Sequence, residues 1–104
     1  MAKLKLNPDP TFQGKVEVHV PGSAPASVVF TFKHRTRPEM VTFFAKVKEM
    51  KDDVELIMAM ATGWDLEDEF SKANIKTMCA AYIDFPGASY EAYLKEITGA
   101  RSGN

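Results

Sequence analysis

The sequence holds a single cysteine, Cys79, so no internal disulfide can staple the fold and disulfide-rich scaffolds are excluded. Its two histidines, His19 and His34, stand apart. No Cys-x-x-Cys, His-x-x-x-His or His-Glu-x-x-His spacing gives zinc a ligand set. No Gly-x-Gly-x-x-Gly or Walker-type run offers a phosphate cradle, and the six glycines are read as turn or helix-end residues. No apolar run approaches the ~18–20 residues of a membrane span. The opening Met-Ala-Lys-Leu-Lys-Leu-Asn-Pro turns polar too early for a signal peptide, so a cytoplasmic protein is expected. Thirteen basic and fourteen acidic side chains leave a net charge of −1, too small to draw in nucleic acid or acidic membranes as a whole-protein field. No cofactor and no metal is expected.

What remains is a 104-residue chain with 45% hydrophobic and 26% charged residues, the balance of an ordinary globular protein. A single domain over residues 1–104 is expected. Charge divides it. Residues 1–36 carry +3 and residues 37–104 carry −4. The first part reads as strands, residues 37–100 as helices and 101–104 as a tail. Leu4 and Leu6 alternate with Lys3 and Lys5, and Val16, Val18 and Val20 alternate with Lys15, Glu17 and His19. Val28 to Phe32 is β-branched and aromatic, and Pro21 to Pro25 is the turn before it. The reading is an α+β fold: a small N-terminal antiparallel sheet of two or three strands, covered by about four C-terminal helices.

Four helix starts are predicted. Thr36-Arg37-Pro38-Glu39 forms a capping box ahead of Met40, Phe43, Phe44, Val47 and Met50. Asp52 caps a second helix carrying Val54, Ile57, Met58 and Ala61, which Gly63 is expected to stop. Asp65 to Asp68 is expected to cap a third, running through Ile75 and Cys79 to Tyr82. Phe85-Pro86-Gly87 breaks the chain before a fourth, with Tyr90, Tyr93, Leu94 and Ile97 on one stripe and Gly99 at its end.

Candidate chemistry is sparse. Cys79 sits between Met78 and Ala80 in a helical pattern, which points to a buried thiol. The acidic run Asp65 to Glu69 partly mimics a calcium loop. Its sixth position is Phe70 where that loop needs glycine, and its twelfth is Lys76 where it needs a glutamate. Carboxylates favouring the positive end of a helix are the simpler reading. Lys3, Lys5, Lys15, Lys33, His34, Arg35 and Arg37 make a basic strand region, so a small DNA-binding regulator is an alternative, though nucleic acid is not the favoured partner. The surplus is apolar. Six methionines and eleven aromatics are generous for this length, and Leu56 to Ala61 is apolar nearly all round. Such a helix is either central to the fold or covered by another chain. Phe43, Phe44, Met58 and Met60 are the candidate interface residues, and self-association is a possible use of them.

The stretch Gly63-Trp64-Asp65, Glu69-Phe70, Ala80-Ala81-Tyr82, Phe85-Pro86-Gly87-Ala88 and Ala92-Tyr93-Leu94 to Gly99-Ala100-Arg101 resembles the C-terminal part of the small tail assembly chaperones of long-tailed bacteriophages and prophages. The likeness covers roughly two-fifths of the chain. It implies a protein of the host cytoplasm that is not an enzyme. Such a protein binds the tape measure protein, keeps that long helical rod soluble and helps tail tube subunits assemble around it. It is then lost from the finished tail. Some relatives add a longer frameshifted product; the sequence ends at Asn104 without that extension. A structural tail subunit retained in the particle is a further alternative.

Overall fold

A computed structural model describes residues 4–99 of the chain. In order, its elements are β1 (Thr11–Val18), β2 (Ala26–Lys33), α1 (Arg37–Val47), α2 (Asp53–Met60), β3 (Ala61–Trp64), α3 (Lys72–Ala81) and α4 (Phe85–Thr98). The α+β expectation holds. The sheet is antiparallel throughout, in the order β1-β2-β3.

The period-two pattern decides which face of the sheet is covered. Val16 and Val18 on β1, and Val28, Phe30 and Phe32 on β2, turn to one side and are buried. Lys15 and Glu17 turn to water. Pairing Val16 with Val28 and Phe12 with Phe32 aligns the two apolar sets. Gly22 takes the left-handed conformation in the connecting turn, with φ +78°, where a side chain would be strained. The helices close over this face with Met40 and Phe43 of α1, Ile57 and Met60 of α2, Ile75 of α3, and Phe85 and Tyr93 of α4. Helix α2 lies at the centre, packed against the sheet and against α3 and α4. Its apolar circumference is thereby largely explained.

Local capping follows the sequence closely. The Thr36 hydroxyl accepts from the Glu39 N–H, and the Glu39 carboxylate accepts from the Thr36 N–H at 2.8 Å. That second bond holds the Glu39 carboxyl below its usual range. The Asp52 side chain accepts from the Glu55 N–H, and Gly99 ends α4 in the left-handed region.

Four expectations are corrected. Residues 4–10 form no strand, and Leu4 and Leu6 stand fully in solvent. The third strand instead comes from mid-chain. Helix α2 ends at Met60 and passes directly into β3, so Gly63 is a strand residue paired with Thr31, not a helix stop. Asp65 caps no helix. It clamps the end of the sheet, its N–H donating to the Val29 carbonyl and its carboxylate accepting from the Val29 N–H at 2.9 Å. Helix α3 starts seven residues later, capped by Ser71. Phe85 and Pro86 open α4 rather than precede it, because proline in a first helical turn forfeits no hydrogen bond.

Glycine is needed most at Gly14, in the middle of β1 and not in a turn. A Cβ there would lie 2.6 Å from the Phe32 ring, with Glu96 of α4 also close by. The missing side chain lets Phe32 lie across β1 and α4 settle beside it. Gly14→Ala is therefore expected to destabilise the fold by about 1–3 kcal/mol. Urea denaturation should show a lowered midpoint with an unchanged slope.

Candidate partner-binding surface

The surface is built around a buried tyrosine. Tyr93 is fully enclosed, and its ring meets Phe32 at 5.2 Å, Phe43 at 5.6 Å and Phe12 at 6.2 Å between centroids. A buried hydroxyl must be paired. The Tyr93 hydroxyl donates to the Lys33 carbonyl at 2.8 Å and accepts from the Arg35 guanidinium at 2.9 Å. That guanidinium lies 4.4 Å from the Phe43 ring centroid, a cation–π contact. The Lys33 ammonium donates to the Met58 carbonyl near the C-terminal end of α2. Two cations at the end of β2 thus tie α1, α2 and α4 together. The basic strand region is not a free stripe, since Lys33 and Arg35 are engaged inward and Lys15 faces Glu17.

This arrangement sorts the predicted interface residues. Phe43 is 2% exposed and Met60 wholly buried, so both belong to the core and are removed from the accessible surface. Phe43 is drawn in by Tyr93 and Arg35. Met60 faces the interior at the last turn of α2. Phe44, one residue and about 100° further round α1, is 41% exposed. Met58 is half-buried. Sequence reasoning missed Val41, which is 67% exposed on α1. Its i, i+3 spacing to Phe44 marks a second apolar stripe beside the core stripe of Met40 and Phe43. Ile83, 95% exposed between α3 and α4, was also missed.

Two adjoining clefts, of 460 and 430 Å³, share Met50 and Ala59 as walls and form one groove. Phe43 and Lys46 flank one end, beside Lys33 and Arg35. Val54 and Met58 flank the other, beside Asp52, Glu55 and Lys72. Phe43, Met50, Val54, Met58 and Ala59 supply its apolar lining, among charged side chains at both ends.

A family model describing phage tail assembly chaperones matches residues 1–104, the entire chain. The chain belongs to the phage tail assembly chaperone family. No curated protein and no solved structure matches it. A chaperone family points to a non-enzymatic role. In this chaperone Cys79 is half-buried within the helical layer. Burial, with the Asp53 and Asp52 carboxylates adding to it, pushes its thiol up to about 11. It therefore stays protonated at neutral pH and is a poor nucleophile. Among the described residues no group of three or more His, Cys, Asp or Glu side chains is placed to hold a metal ion. No helix there is long and apolar enough to cross a membrane.

Tyr93→Phe removes only the hydroxyl, leaving the Arg35 guanidinium and the Lys33 carbonyl short of a buried partner. A loss of about 1–3 kcal/mol in unfolding free energy is expected, with the secondary structure retained. Chemical denaturation followed by circular dichroism measures both.

Proposed function

We propose that this chaperone binds the tape measure protein of the tail through α1, by its exposed Val41–Phe44 stripe and by the α1–α2 groove on its opposite flank. By covering apolar surface it keeps that partner soluble until tail tube subunits take its place. It makes and breaks no covalent bond. The observation that carries this reading is the pair Val41 and Phe44, exposed on a helix that borders a groove walled by Met50 and Met58.

The chemistry suits a helical partner. An amphipathic helix docks by laying its apolar face in a groove. Methionine thioethers are flexible and polarisable, so they adjust to many similar segments without requiring one sequence. Charged rims keep the free protein soluble and add little affinity, because exposed ion pairs are worth about 0–1 kcal/mol. The contact is correspondingly displaceable, as a shield that must yield to tube subunits requires. Helix α1 also reaches the core through only two buried side chains, Met40 and Phe43, so its outer face can adapt while its inner face stays anchored.

Co-expression with the tape measure protein followed by pull-down tests this. The double variant Val41→Glu, Phe44→Glu is expected to reduce co-purification by ~10-fold or more, as loss of a central apolar anchor does. Its melting temperature should stay near that of the wild type, since both positions face solvent. Undiminished capture by a folded double variant would overturn the assignment of this face.

A further inference from the structure

Strand β1 is an edge of the sheet. Among the described residues no hydrogen bond reaches its outer side between Thr11 and Val18; only beyond its end does the His19 N–H meet the Asp84 carboxylate. Helix α4 runs beside that edge. Between them lies a cleft of 420 Å³, and at Glu96 it meets a second, of 390 Å³, walled also by Pro8, Asp9 and His34. An unpaired edge of eight residues, about 27 Å long, is a template for one more strand.

The chain itself carries a strand-patterned segment with no place to lie. Leu4 and Leu6 alternate with Lys5 and are both fully exposed. The Lys5–Asp9 ion pair is open to solvent and does not hold the segment down. The link to β1 is Asn7-Pro8-Asp9-Pro10. Each proline has a fixed φ, and each biases the residue before it to an extended conformation. Four residues so constrained resist the tight reversal that would bring Leu4 to Leu6 back onto their own β1. Leu4 and Leu6 are left in solvent instead.

We infer that the N-terminal segment around Leu4 to Leu6 adds as a strand to the β1 edge of a second copy of this chain, with its leucines against α4. Ala88 and Ala92 on α4 are small enough to receive them, and both line the groove. Charge is complementary. The larger cleft gathers Glu17, Asp84, Glu91 and Glu96 against Lys15 and Lys95, and the incoming segment brings Lys3 and Lys5. Segment and edge are different patches of one molecule, so exchange between two copies closes a dimer and one-way donation builds a chain. The contact uses neither Val41 nor Phe44 and is independent of the tape measure reading.

Light scattering coupled to size exclusion, over a hundred-fold range of concentration, tests the inference. The wild-type mass is expected to rise with concentration, and less so at high salt. Leu4→Asp with Leu6→Asp removes the two leucines that the contact would bury, a loss of more than ~10-fold in the association constant, and should stay monomeric. Glu91→Lys with Glu96→Lys turns the groove against the lysines and should also stay monomeric. An equimolar mixture of these two folded variants should associate again, since one keeps the edge and the other the segment. The Val41→Glu, Phe44→Glu variant should associate as the wild type does, which separates this contact from tape measure binding. A wild-type monomer at every concentration, or leucine variants that associate unchanged, would overturn it.

Discussion

One buried hydroxyl sets the geometry of the helical layer. Tyr93 reaches from α4 to the end of β2 and is satisfied there from both sides, by the Lys33 carbonyl and the Arg35 guanidinium. Arg35 is held in turn against Phe43, and Lys33 extends to the last turn of α2. Such a network is favourable only when every member is paired, because each group is costly to leave unpaired in a low-dielectric interior. It therefore specifies one arrangement of α1, α2 and α4. The proposed docking groove is the space that this arrangement leaves between α1 and α2.

The same network decides which apolar side chains are available. Phe43 and Phe44 are chemically identical neighbours, and on a helix they differ only by rotation. Phe43 is captured by an aromatic and a cation from distant elements, and Phe44 is left outside. A free surface of this kind is not surplus hydrophobicity spread at random. It is the second stripe of a helix whose first stripe is fixed. Met50 and Met58 are half-buried walls of the groove on the other flank of α1, where side-chain flexibility costs the fold little.

What the sequence revealed and what it hid divide along contact distance. The Thr36–Glu39 capping box, the Asp52 cap and the left-handed Gly99 were legible because both partners lie within one helical turn. The alternation of Val16 and Val18, and of Val28, Phe30 and Phe32, gave the covered face of β1 and β2. Strand β3 was hidden because Ala61 continues the apolar pattern of α2 and Gly63 reads as a helix stop, and only pairing with β2 makes Ala61 to Trp64 extended. Asp65 looked like a helix cap, yet its carboxylate serves Val29, 36 residues away. Gly14 looked like a turn residue until Phe32 filled the space a side chain would need. Candidate site residues suffered the same limit. Phe44 and Met58, which keep some exposure, were named together with the buried Phe43 and Met60, since composition shows a surplus but not which members the core absorbs.

Hydrogen–deuterium exchange on the chaperone, alone and in complex with the tape measure protein, tests the central claim most directly. The account predicts added protection over residues 41–50 and 54–59, with the amides around Tyr93 equally slow in both states. Protection confined to other elements, or faster exchange around Tyr93 on binding, would contradict it.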